Sequence, residues 1–274
     1  MNDTANETPN DTLRDTGTYL YAVTRDLGLK VPEGLVGVAG TPVRAVAHAG
    51  LAAYVSTVPL SLFGAEPLRR SMEDLDWLGR TARAHHHVVE AVAEGCPAAP
   101  VRLVTVYSGD DQIRQLLSRR HDDFVEVLAR IADRQEWGVK AYVDLSAAAP
   151  PEEETVQAGG PGAAYLRRRR QSIRGREESW RKAAARAEEI HEALSSLAIG
   201  SRRHRAQDPQ LSGRSELMIL NGAYLVERDR AGEFTRAVEG LRGQGVDVEL
   251  TGPWAPYSFT DLADPAEPEV LGDA

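Results

Sequence analysis

Apolar residues recur along this chain with two different spacings, and the switches between them mark out its elements. “TYLYAVT”, residues 18–24, is a nearly unbroken apolar run rich in aromatic and β-branched side chains, which predicts a strand. After a connection marked by Gly and Pro over 28–41, “PVRAVAHAGLAAYVSTV” reads as two strands joined by a tight turn at Ala49-Gly50. Helical spacing then takes over across 71–94, with Ser71 as N-cap, Glu73 and Asp74 in the first turn and Gly95 as the stop. Pro97 and Pro100 bound the next strand, “VRLVTVY”. Asp110 or Asp111 opens a helix running to about Arg134, with Ile113, Leu116, Leu117, Phe124, Val127, Leu128 and Ile131 on its inward side.

The second half repeats the alternation in a different order. “EWGVKAYVDL”, 136–145, is a strand, and a loop rich in Ala, Pro and Glu leads to a long helix over 161–198. “SELMILNGAYLVERD” carries Asn221-Gly222, the dipeptide that best supplies the two positive φ angles of a hairpin turn. A helix at 231–243 and the strand “VDVELTGPW” follow. Strand, helix, strand, strand, helix, strand is the ferredoxin-like βαββαβ pattern. We therefore expect an α+β protein of two domains. Residues 1–16 are a disordered N-terminus, 17–134 an N-terminal α+β domain, 135–259 a ferredoxin-like domain with a long first helix, and 260–274 an acidic C-terminal tail. The expected sheet edges are the strands at 215–220 and 246–254.

The long helix outruns its sheet. Some 38 residues span about 57 Å, against about 33 Å for a strand of nine or ten. Trp180, Ala183, Ala187, Ile190, Leu194 and Leu197 share one face, and before Trp180 only Leu166 and Ile173 continue it. Residues 180–198 are thus expected to pack and 161–179 to project or bend, with Gly175 as a candidate break.

Composition narrows the chemistry. The chain has 274 residues, 42% hydrophobic and 27% charged, as in globular proteins. Its net charge of −9 argues against a general nucleic-acid binder. One cysteine, Cys96, rules out an intrachain disulfide and a multi-cysteine zinc site, and a reducing compartment fits. The first residues lack the basic start and apolar core of a signal peptide, and no run approaches a membrane span, so the expected location is cytoplasmic.

Three consecutive histidines, His85, His86 and His87, invite a metal reading. On a helix they fan over about 200° and cannot converge on one ion. His85 falls on the apolar stripe, His86 on its flank and His87 opposite, which predicts one buried, one boundary and one solvated ring. “YLRRRRQSIRGR” concentrates Arg167, Arg168, Arg169 and Arg170. These suit an acidic partner or a solvated face. RNA is the rival, but “ELMIL” and “AYLVER” lack the paired aromatics of an RNA-recognition sheet. Cys96 follows a helix end rather than opening one, so it reads as structural. No Walker loop, G-x-G-x-x-G or G-x-S-x-G occurs. Glu136 and Asp144 sit near opposite ends of one strand, too far apart to pair. No catalytic, cofactor-binding or metal residue emerges, and an enzyme is disfavoured.

Several segments, in order, resemble the gas vesicle protein F/L family. They are “YLYAVT”, “GLAAYVSTV”, the helix with Ala84, His85, Val88 and Val89, “PVRLVTVY”, “EWGVKAYVDL”, “LNGAYLVERD” and “GVDVELTGPWAPYSF”. In “PVRLVTVY” the family reads closer to “PLRFGTVF”, so Leu103 and Val104 stand where its pattern has Phe and Gly. The resemblance implies two α+β domains, no cofactor, and a non-enzymatic accessory or minor structural role in gas vesicle assembly. The implied partners are the hydrophobic shell protein and other accessory proteins, not membrane or nucleic acid. For partner binding the sequence offers the arginines 167–170 and, as a point on an exposed sheet edge, Val248. An RNA-binding or small-molecule-binding ferredoxin-like protein is the alternative.

Overall fold

A computed structural model describes residues 16–28, 30–144, 161–207, 214, 216–243 and 245–260. The expected disordered N-terminus, apart from Thr16, and the acidic tail beyond Thr260 lie outside them. The fold is mixed α+β, built on two antiparallel sheets with helices. It divides into two compact units. One takes the described residues up to Asp133 and those from Ala255, and the other is Arg134–Trp254. Residues 255–259, assigned from the sequence to the second domain, belong to the first unit. There Phe259 is buried, its carbonyl accepts from Arg130, and the Thr260 hydroxyl donates to the Pro100 carbonyl at 2.9 Å.

In the first unit the strands are β1 (Thr16–Arg25), β2 (Val43–His48), β3 (Leu51–Pro59), β4 (Ala98–Pro100) and β5 (Val106–Tyr107). Their order is β2-β3-β1-β4, and β5 also pairs with β1. β1 is buried almost throughout. Leu20 and Val23 pack with the helices α4 (Asp110–Arg119) and α5 (His121–Ile131), whereas Tyr19 and Tyr21 pack with α3 (Leu75–Ala93). A strand covered on both faces needs no polar alternation, which is why it reads as a continuous apolar run. The Ala49-Gly50 turn forms as expected, with φ of 52° and 75°.

Other expectations are corrected. The helix expected over 71–94 starts later than read. Short helices α1 (Leu60–Phe63) and α2 (Ala65–Ser71) come first, and α3 starts at Leu75 because the Asp74 carboxylate, not Ser71, caps it by accepting the Asp76 and Trp77 N–H groups. The helix expected from 110 to 134 breaks at Arg120 (φ −111°, ψ 24°) into α4 and α5, with all seven inward residues buried as read. “VRLVTVY” is not one strand. Between β4 and β5 the Val101 N–H still donates to the Tyr21 carbonyl and the Thr105 carbonyl accepts from Leu20, but residues 102–104 leave the ladder, and Val104 takes φ 64°, the region that favours the glycine of the family pattern.

The second unit runs β6 (Arg134–Val143), α6 (Pro161–Ser195), β7 (Gly200–Arg203), β8 (Leu217–Glu227), α7 (Ala231–Gly240) and β9 (Val246–Trp254). Its sheet order is β7-β8-β6-β9. Asn221-Gly222 makes no turn. It lies inside β8, where Asn221 pairs with Lys140 and Gly222 with Val139. A Cβ on Gly222 would come within 2.8 Å of the buried Tyr224 ring, and Asn221 donates to the Arg205 carbonyl at 2.9 Å. Both residues therefore serve packing along a strand. The expected edge at 215–220 is corrected with it: β8 is interior, and the edges are β7 and β9.

α6 is one helix through Gly175, which is no break. Its Ala183, Ala187, Ile190 and Leu194 are buried with Val139, Ala141, Tyr224 and Phe234. Trp180, expected on that packed face, is 54% exposed.

Candidate functional site

The three histidines take three environments. His85 is 2% exposed, His86 is half-buried and 3.0 Å from Glu90, and His87 is exposed. His85 Nδ1 lies 3.0 Å from the Tyr19 hydroxyl, which also accepts the Val104 N–H at 3.0 Å. The rings of Tyr19, Tyr21 and Tyr257 surround it. Burial disfavours the imidazolium and lowers its pKa to about 4, with the Val101 backbone opposing and His86 adding a small push down. Burial likewise raises the Tyr19 phenol. This is a neutral buried pair that holds the 101–105 excursion against β1. Among the described residues no three His, Cys, Asp or Glu side chains gather as metal ligands.

A second histidine does similar work in the other unit. His191 on α6 lies 3.0 Å from the Tyr224 hydroxyl on β8, with Ser195 at 3.4 Å on its other nitrogen. Partial burial lowers the His191 pKa, and the cationic Arg203 acts in the same direction. Sequence spacing could not reveal either pair, because the partners lie 66 and 33 residues apart. Cys96 is buried and its thiol is pushed up by burial, which leaves it unreactive.

The arginines read as a partner surface stand on α6. Arg169 and Arg170 are exposed, and the side chains of Arg167 and Arg168 lie outside the described residues. Exposed arginine carries a fixed charge and a planar fork suited to carboxylates. Val248 does not share that surface. Its side chain is 2% exposed in the core, and its carbonyl accepts from Arg242 Nε at 3.1 Å. Next to it, Val246 and Gly243 exchange both backbone hydrogen bonds, at 3.0 and 3.2 Å. The first half of the β9 edge is thus already occupied by its own chain, a common protection for an edge strand. Sequence spacing had no signal for this, since the guard is one guanidinium from the preceding turn. No helix among the described residues is long and apolar enough to cross a membrane.

The family described as gas vesicle synthesis protein GvpL/GvpF matches residues 17–261. The chain belongs to the GvpL/GvpF family. It is 44% identical over 248 residues to gas vesicle protein L of Streptomyces sp. (strain CB03234), covering 90% of this chain and 93% of that one. Gas vesicle protein F of the same strain is 29% identical over 249 residues, covering 89% and 99%. The crystal structure of GvpF from Anabaena sp. PCC7120 superposes with a TM-score of 0.66 at 19% identity, over 91% of this chain and 98% of that one. GvpF from Microcystis aeruginosa gives 0.62 at 20%, over 90% and 99%. These GvpF structures share the mixed α+β fold of two antiparallel sheets and helices. The family is one of gas vesicle proteins, and a gas vesicle role for this member follows.

Proposed function

We propose that this GvpL/GvpF member is a non-enzymatic accessory or minor structural protein, working in the cytoplasm and at the gas vesicle, that binds the hydrophobic shell protein and assists its assembly. The observation that carries this is the family match across nearly all of the described chain. We also read Arg134–Trp254 as a ferredoxin-like domain, following an N-terminal α+β domain in sequence. The order β6-α6-β7-β8-α7-β9 and the strand order β7-β8-β6-β9 support that reading.

A shell subunit that builds its wall by pairing strands exposes apolar edges before assembly, and such edges aggregate. An accessory protein can occupy them briefly by adding its own strand edge. β7 and the part of β9 beyond Val248 are the edges in place for this, with Leu250 on the free side two residues past the guarded carbonyl. The arginines at 167–170 supply a cationic hold for acidic partner surfaces.

The test is co-dilution of purified shell protein from denaturant with this protein, following light scattering. The wild type should suppress aggregation. Leu250→Pro should remove most of that effect, and reversal of Arg167–Arg170 to Glu should weaken capture. Undiminished aggregation in the presence of wild type, or normal flotation of cells lacking the gene, overturns the reading.

A further inference from the structure

The first 22 residues of α6, 161–182, span about 33 Å, and none of their described side chains is buried. Core packing begins only at Ala183. Yet this arm is not uniformly polar. Leu166, Ile173 and Trp180 recur every seven residues, so they fall along one line of the helix, a sparse apolar seam with charged residues between. Ile173 is 49% and Trp180 54% exposed, and with Glu177 and Arg181 they line a shallow depression along the arm. Helical geometry puts Arg170, Arg174 and Arg181 along one side of that seam and Arg169 along the other. A half-exposed tryptophan framed by arginine is the composition of an interface hot spot.

We propose that the Ile173–Trp180 face is a docking rail for an acidic amphipathic helix of another protein, its apolar residues on the seam and its carboxylates on the flanking arginines. This deepens the accessory-protein reading and rests on it. The charge decides among occupants. Residues 167–182 carry eight cationic side chains against two carboxylates, in a chain of net charge −9. Two arms laid together would repel, which removes a second copy at this face. A lipid headgroup layer or a phosphodiester strand presents negative charge continuously, and Glu177 stands on the contact line against it. A helix can carry its acids on the flanks and leave the position opposite Glu177 neutral or basic. The chain's own acidic tail, 261–274, contains Pro265 and Pro268, which prevent a helix matching the rail.

The test uses the full chain and a labelled synthetic peptide with Leu at heptad positions a and d, Glu at e and g, and one Lys placed opposite Glu177. Its glutamates keep it from pairing with itself. Anisotropy should rise on binding, and Trp180 emission should shift to the blue. Trp180→Ala and Ile173→Asp, both in exposed positions and checked for unchanged circular dichroism, should each weaken binding by about tenfold or more. Arg170→Glu with Arg181→Glu should shift preference to the same peptide with Lys at e and g. Peptide binding that ignores these four changes overturns the proposal. So does binding of polyuridylate or phosphatidylserine vesicles through Trp180 in place of the peptide. So does peptide binding that emerges only after the tail acids are changed to Asn and Gln, which would make the tail the occupant. Loss of peptide binding with shell-protein capture intact rejects the rail alone, and the converse rejects the accessory reading alone.

Discussion

Each unit holds a histidine bonded through Nδ1 to a tyrosine hydroxyl across a helix–strand interface, at 3.0 Å in both. His85 on α3 meets Tyr19 on β1, and His191 on α6 meets Tyr224 on β8. The contacts match but their surroundings do not. His85 is sealed among three tyrosine rings, and its partner also holds the Val104 N–H. His191 is half-buried and sits near Ser195, Arg203 and Glu188, where solvent reaches it. A hydrogen bond that water can replace contributes little, whereas one whose loss strands buried groups contributes the full cost of their desolvation. The first pair should therefore govern stability and the second only local order.

Acid gives the largest test of that difference. His85 has a folded pKa of about 4 against an ordinary 6.5, so as pH falls the unfolded chain takes up the proton first. The contribution is complete above about pH 6.5 and is lost progressively down to about pH 4, reaching about 3 kcal/mol. Carboxylates titrate nearby; Asp110, for one, is held low by the bidentate Arg44 guanidinium. The reading is therefore the difference between wild type and His85→Asn in urea unfolding at several pH values. His85→Asn should be less stable at pH 7.5 and show a shallower acid decline, while His191→Asn keeps most of the wild-type slope. Parallel slopes for wild type and His85→Asn would show that His85 is not buried neutral.

Removing the hydroxyls sharpens the comparison. Tyr19→Phe leaves the Val104 N–H and His85 Nδ1 without their partner, which should cost about 2 kcal/mol. Tyr224→Phe removes the same atom, but His191 can turn to water or Ser195, so its cost should stay below about 1 kcal/mol. Equal losses in thermal or urea unfolding would erase the distinction between the pairs.

The two regions also differ in how far the sequence discloses them. β1 was legible because burial on both faces produces an unmistakable apolar run, and the inward residues of α4 and α5 followed from helical spacing alone. Arg169 and Arg170 on α6 are exposed, ahead of the part of the helix whose apolar stripe is buried. What stayed hidden depends on contacts between distant residues. The break within 101–105 is tied down by the Tyr19 hydroxyl, which accepts an N–H from a residue 85 positions away. The guarded carbonyl of Val248 depends on one guanidinium, which periodicity does not register. Asn221-Gly222 carried the strongest local turn signal and was overruled by its neighbours, while plain Ala49-Gly50 made the turn. Local preferences of about 1 kcal/mol yield to a sheet that pairs Asn221 with Lys140 and lays the Tyr224 ring against Gly222.

Gly222 gives the smallest and most local test, on the side of the pair that matters less. A methyl group there would lie 2.8 Å from Cε2 and from the hydroxyl oxygen of Tyr224. The ring is fully buried and packs against Phe234 at 5.5 Å between centroids, so it has little room to withdraw. Gly222→Ala should therefore cost about 1.5 kcal/mol through overpacking. It should also push the Tyr224 hydroxyl off His191, which NMR reads as a shift of the His191 ring resonances. The pH dependence set by His85 should not change, because that ring belongs to the other core. A variant that keeps both its stability and the His191 ring resonances would mean that the Tyr224 ring has room to withdraw, and that it is not what excluded the hairpin.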